Sequence, residues 1–398
     1  MSTVIPFIPA SKIPGLSTTT IRDFTTEDWA AFSTDQIIAL TTVQAAVITS
    51  TGLSALNSDQ IRAFQTEDLR AITTNSLQGF SSDQIASITT DQLQGMSSSQ
   101  VAAINTVQLA GLSAADMVAL TTAQVAALTT AQAKTLTTDQ LSALEATDVK
   151  YLTTGALRTL SNAQLDSLTS DQLRGLTTGQ VNSLTTGQIQ GLNTDDLNVL
   201  TSDQFAKLST AQVAALTGNQ LSHLATDNLN AMGSAQFATL SSGQFSALTT
   251  DQLSKMETAD LRAVTTGALR GLSSDQIGSL TTDEVANLTT AQVGALTAGQ
   301  VHGLTAGDMT ALSSAQVGTL GSAQVQALGT DQLAAIDAAD MKALTTGALR
   351  ALSNAQIDGL TSDQLRALTT AQVNSLTTAQ VNGLSTDELN ELTTDQFA

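Results

Sequence analysis

The sequence predicts an all-α solenoid, a continuous superhelix of very short capped helices with one helix per eight residues. Three observations predict it. Residues 121–128 read TTAQVAAL, and this octad recurs in one register from Ser17 to Leu392, 47 complete copies followed by the partial TTDQFA at 393–398. Octad position 1 is usually Thr or Ser and position 4 usually Gln. That is a capping box: the hydroxyl accepts the main-chain N–H three residues on, and the Gln side chain reaches back to the N–H of the cap. Positions 5 and 8 are apolar in every complete octad. Because position 8 immediately precedes the next cap, Leu120 and Val125 form a hydrophobic staple across Thr121.

A box and a staple every eight residues start a new helix each time. Each helix then spans about six residues, roughly 9 Å. One so short does not persist alone, because helix nucleation is costly; it is held by its neighbours, as in other repeat arrays. The competing arrangement is a β-solenoid with 16-residue coils. Positions 5, 8 and 13 are separated by odd intervals, so a straight strand would send them to alternate faces. Ala, Leu and Gln also favour helix over strand.

Taken in order, residues 1–16 are expected to stand apart from a repeat domain at 17–398. They hold all three prolines, Pro6, Pro9 and Pro14, which remove N–H donors and bias their predecessors toward extended geometry. This stretch is therefore expected to be an extended apolar leader carrying Val4, Ile5, Phe7, Ile8 and Ile13, either capping the first octads or docking on another subunit. Residues 17–104 are a more diverged block with Phe or Ile at many position-8 sites, among them Phe24, Phe32, Phe64, Phe80, Ile72 and Ile88. A longer pattern lies over the octads: related 24-residue blocks begin at Gln65, Glu145, Glu257 and Asp337. Their spacing, always a multiple of 16, hints at a two-octad unit. At the far end, Leu389, Leu392 and Phe397 are expected to be an incompletely covered apolar surface.

Composition narrows the function. The chain has 398 residues, a formal net charge of −20, 13% charged residues and no Cys. An acidic, sparsely charged surface disfavours nucleic acid and anionic lipid as partners. Without Cys there is no disulfide framework. No stretch reaches the roughly 18 apolar residues of a membrane span, and the first residues lack the basic and apolar regions of a secretory signal. Export, if it occurs, is expected to use another route.

The search for chemistry is short. His223 and His302 are the only histidines and lie in separate octads, with no metal-ligand spacing around them. No serine sits in a G-x-S-x-G setting. No catalytic, metal or cofactor residue is expected. Carboxylates replace Gln at position 4 in Asp116, Asp148, Asp196, Asp260, Asp308 and Asp340. They read as first-turn acids favoured by the helix dipole rather than as a calcium ladder, which needs six to eight oxygens per ion. In the diverged blocks a base follows two residues later, as in Asp68/Arg70 and Asp148/Lys150. As surface ion pairs these contribute roughly 0–1 kcal/mol each. As regularly placed charges, Lys150, Arg158, Arg262, Arg270, Lys342 and Arg350 are candidates for setting lateral register between rods. A threonine ladder raises ice binding as a minor alternative, which gains weight only if the fold is β.

Residues 120–136, LTTAQVAALTTAQAKTL, resemble the LTTxQ(V/I/L)xAL runs of long bacterial proteins, many of them presumed secreted or surface-associated. The resemblance covers 17–398 and is architectural. It implies an extracellular structural role, in adhesion or a filament, and carries no residue-level assignment. The expected function is therefore a non-enzymatic structural protein. It would assemble with itself, head to tail, into an extracellular filament or surface layer through Val4, Ile5, Phe7, Ile8, Ile13, Leu389, Leu392 and Phe397. The rival is an adhesin stalk or scaffold that binds glycans or a protein.

Overall fold

The computed structural model describes residues 3–396. Among the described residues every regular element is helical and there is no strand, so the helical solenoid holds and the β-solenoid falls. The elements run from a 3₁₀ turn at Ile5–Phe7 to one at Thr394–Gln396. Between them the α-helices follow octad by octad, from Thr18–Asp23 to Thr386–Glu391.

One octad shows how the sequence makes the helix. Thr121 is extended, with φ −75° and ψ 157°, and its Oγ1 accepts the Gln124 N–H while Gln124 Oε1 accepts the Thr121 N–H at 2.8 Å. The helix is Thr122–Ala126. Elsewhere it runs one residue longer and stops at the position-8 residue, as at Leu176 with φ −62° and ψ 137°. That extended residue leads directly into the next cap. No described residue has a positive φ, so the position-7 glycines are not needed for a left-handed turn. They are needed for space. A Cβ on Gly79 would lie 2.0 Å from the Ser50 carbonyl oxygen, and one on Gly111 would lie 2.2 Å from that of Ser82.

The chain divides into two compact units, Met1–Leu200 and Thr201–Ala398. In each, a helix packs against those three octads away. Ser98–Ala103 meets Thr122–Ala126 in the first unit, and Thr282–Ala286 meets Ala306–Ala311 in the second. Side-chain bonds reach farther, to main-chain carbonyls 28 and 31 residues upstream, in the octad four places back. A superhelical turn within a unit therefore holds between three and four octads. The two-octad unit suggested by the longer sequence pattern is not what packs.

Position 5 forms the innermost ladder and position 8 the layer around it; both are buried almost throughout. The first unit begins with an aromatic knot in which Trp29 stacks on Phe32 at 4.8 Å and meets Phe24 edge-on at 5.8 Å. The second carries Phe205, Phe237 and Phe245 at position 5, all fully buried.

Residues 3–16 depart from expectation. They are not an extended strip: Ile5–Phe7 and Ala10–Gly15 are 3₁₀ helices. Pro6 lies in the first turn of its helix, where a missing N–H costs nothing. Residues 1–16 follow the octad register, with Ile5 and Ile13 at position 5 and both fully buried. Gln36 Nε2 donates to the carbonyls of Ile5 and Ile8 at 2.9 and 2.6 Å, and Gln44 Nε2 donates to those of Ile13 and Leu16 at 2.8 and 2.9 Å. These are the 31- and 28-residue bonds of the regular octads. The prolines remove hydroxyl caps and N–H donors, but the downstream glutamines need only carbonyls.

Candidate functional site

The most regular polar feature is the buried position-4 glutamine. Gln124 is 1% exposed. Its Oε1 serves its own cap while its Nε2 donates to the carbonyls of Leu93 at 2.7 Å and Met96 at 2.9 Å. One amide thus closes a helix start and pins it to the end of a helix four octads earlier. Gln292 does the same in the second unit, with Leu261 and Val264.

The diverged blocks interrupt this bracket. Asp68, Asp148 and Asp260 replace the glutamine and are buried, and their helices have no side-chain cap. In the second octad of three of the four blocks, position 4 is a buried alanine: Ala156, Ala268 and Ala348. An aspartate is too short to reach four octads back. Instead it accepts a hydroxyl from the position-2 residue three octads back: Thr122 Oγ1 to Asp148 at 2.8 Å, Ser234 Oγ to Asp260 at 2.7 Å, Thr282 Oγ1 to Asp308 at 3.1 Å, and Ser314 to Asp340. Asp116 and Asp308 close capping boxes with Ser113 and Thr305, and Asp196 bonds to Asn193. Apart from Asp68, these carboxylates are consumed by the fold. Among the described residues no three His, Cys, Asp or Glu side chains come together as a metal site.

The acid–base pairs read from the sequence do not form. Asp68 is buried while Arg70 is exposed, and likewise for Asp148 with Lys150 and Asp260 with Arg262, because residues two apart lie on different faces of a helix. The ion pairs present include Arg62–Asp59, Arg174–Asp171 and Arg366–Asp363, from position 6 back to position 3.

Burial pushes the Asp68 carboxyl up to about 6, with neighbouring Glu67 adding to it, and its Oδ2 has no partner. Asp260 is raised by burial and by Glu257 against the Ser234 bond, and Asp196 by burial with Asp166 and Asp195 against the Asn193 bond. Asp28 moves the other way, held down first by a Thr3 hydroxyl. A carboxyl raised on folding favours the folded state when protonated, and that contribution is lost as pH rises from the unfolded value through the folded one. For Asp68 the window is 3.8 to about 6. Replacing Asp68 by Asn is therefore expected to stabilise the first unit by about 1–2 kcal/mol at pH 8 and to change little at pH 4. Urea melts at the two pH values check this; an equal shift at both would remove Asp68 as the titrating group.

The candidate assembly residues fall into three groups. Val4 and Phe7 are 65% and 85% exposed, and Ile8 is half-buried. Ile5 and Ile13 are corrected: they are core of their own chain and cannot be offered to another. Near residue 390 the apolar ladder loses cover. Val381 is 44% exposed and Leu376, Leu384 and Leu389 are half-buried, around a cavity of about 270 Å³; Leu392 also lines it but is corrected, because its own chain buries it. Phe397 lies outside the described residues. The lateral candidates Lys150, Arg158, Arg262, Arg270, Lys342 and Arg350 all sit at position 6 and are exposed. Position-1 hydroxyls are spent on capping, as at Thr121 and Thr129, which leaves exposed position-2 threonines such as Thr122 and Thr138. The imidazole Nδ1 of His223 meets the Asn219 carbonyl oxygen at 2.9 Å, within its own helix.

Sequence comparison identifies the chain as a repeat protein. The family model described as the ALTTAQ repeat matches eleven stretches, from 13–42 to 362–394 and without a break across 109–290. The chain belongs to the ALTTAQ repeat family. No curated protein matches it. Within the matched stretches each octad is a short helix, most of them capped, with the position-4 glutamine reaching four octads back. No helix among the described residues is long and apolar enough to cross a membrane. Sequence reasoning missed one residue of interest, Glu284. A glutamate three residues after a threonine reads as an ordinary capping-box acid, and only its surroundings set it apart.

Proposed function

We propose that this ALTTAQ repeat protein is a non-enzymatic structural element that joins head to tail into an extracellular filament or surface layer. The observation that carries the reading is the presence of two uncovered apolar surfaces: Val4, Phe7 and Ile8 on one, and the cavity lined by Val381, Leu384 and Leu389 on the other. Burying Phe7 there would contribute about 1.5–3 kcal/mol before the cost of association. A contact between different surfaces repeats without closing unless the rotation brings it round to a ring. The exposed position-6 bases, on a chain of net charge −20, would set register between neighbouring filaments.

Light scattering across a concentration series tests this, with Phe7→Asp and Val381→Asp as separate variants. Wild type is expected to grow in mass with concentration, and each variant to stay monomeric at tenfold higher concentration. A wild type that remains monomeric, or variants that assemble equally well, would overturn the polymer. The display reading, an adhesin stalk or scaffold binding a glycan or protein, would then take its place.

A further inference from the structure

Glu284 occupies the position that glutamine holds in most octads, and is 3% exposed. Its Oε2 does what a glutamine Oε1 does, accepting the Thr281 N–H at 2.6 Å and the Thr281 hydroxyl at 2.9 Å. Its Oε1 then stands where glutamine places its Nε2 donor. In the other octads that donor bonds carbonyls 31 and 28 residues upstream; for Glu284 these belong to Leu253 and Met256. Oε1 is buried with no hydrogen-bond partner. The Met256 N–H is already given to the Leu253 carbonyl at 3.1 Å, and carbonyls at these two places are what the regular octads present to the glutamine amide. An ionised Oε1 facing carbonyl oxygens is acceptor against acceptor. A protonated one is a donor in the place of the missing amide.

We propose that Glu284 is a proton-operated latch: neutral, its Oε1–H donates to the carbonyl end of octad 249–256 and pins octad 281–288 to it; ionised, it releases that bond and loosens both octads. Burial favours the neutral form and raises the carboxyl, against the opposing Thr281 bonds and the Met256 main chain, with Asp283 adding to the rise. The other charges around it do not supply a cation to hold an anion in place. Glu257, Asp260 and Arg262 lie on the element three octads back; Arg262 is exposed and Asp260 is bonded to Ser234. Asp308, on the helix three octads forward, takes the Thr282 hydroxyl. In octad 249–256, Lys255 is paired with Asp251 at 2.8 Å. Octad 313–320, which pins 281–288 from the other side through Gln316, has no charge. Glu388 makes the same replacement but is only half-buried.

The test is amide hydrogen exchange of wild type and Glu284→Gln at matched pH, so that intrinsic exchange cancels in the ratio. Glutamine is the residue most other octads use here, so the variant folds. Peptides from 249–256 and 281–288 are expected to exchange alike in the two proteins at pH 4.5. Wild type should exchange about tenfold faster by pH 8, through a larger local opening equilibrium. Peptides from 345–376 should show no pH-dependent ratio. A ratio that stays flat with pH in 249–256 and 281–288, or one that changes equally along the whole chain, would overturn the latch.

Discussion

Gln124→Glu is expected to destabilise the first unit by about 3 kcal/mol at pH 8. The substitution keeps the cap, since a carboxylate oxygen can still accept the Thr121 N–H as Oε1 does at 2.8 Å. It removes the donor to the carbonyls of Leu93 and Met96. Each buried acceptor left without a partner costs about 1–3 kcal/mol, and a carboxylate facing two carbonyl oxygens adds a desolvation cost that favours protonation. Part of the loss should therefore return below pH 5. Gln124→Met, of similar length and without polar atoms, is expected to lose stability at every pH. Stability in a repeat array is a sum of local and neighbour terms, so urea melts should be paired with exchange at 89–128. A Gln124→Glu loss under about 0.5 kcal/mol would mean that the amide contacts contribute nothing beyond the local cap.

Trp29→Ala is expected to cost about 3–5 kcal/mol, the range for truncating a large buried aromatic. Trp29 is 1% exposed, stacked on Phe32 and edge-on to Phe24. The adjoining turn is shaped to it: a Cβ on Gly52 would lie 2.6 Å from the indole nitrogen. Gly52 stands where most octads have glutamine, so this turn has exchanged an amide bracket for an aromatic core. Loss of the ring removes the only substitute for that bracket. Circular dichroism melts measure the effect, and the first unit should lose helix at a lower temperature. A midpoint within 1 °C of wild type, well below the ~4 °C shift that even about 1 kcal/mol gives a small domain, would show that the knot is not a stabilising core.

The local half of this architecture was legible in the sequence. Ser or Thr at position 1 with Gln at position 4 specifies where each helix starts, because a capping box is a bond between residues three apart. Apolar residues at 5 and 8 specify which side is buried, because a staple and one helical turn fix their direction. The leader was misread because proline's lost N–H donors were weighed, whereas Gln36 and Gln44 use its carbonyls. The acid–base pairs were misread because proximity in sequence placed Asp68 beside Arg70, while the helix put one inside and the other outside. Only the tertiary structure decided that octads meet three and four places apart. That spacing follows from how closely turns stack, down to the Gly79 approach to Ser50, and from the second half of each glutamine amide, whose partners lie 28 and 31 residues away. The same long-range geometry makes Glu284 more than a cap. Its sequence neighbours satisfy one carboxyl oxygen, and what faces the other is set by a turn of the solenoid that no local pattern records.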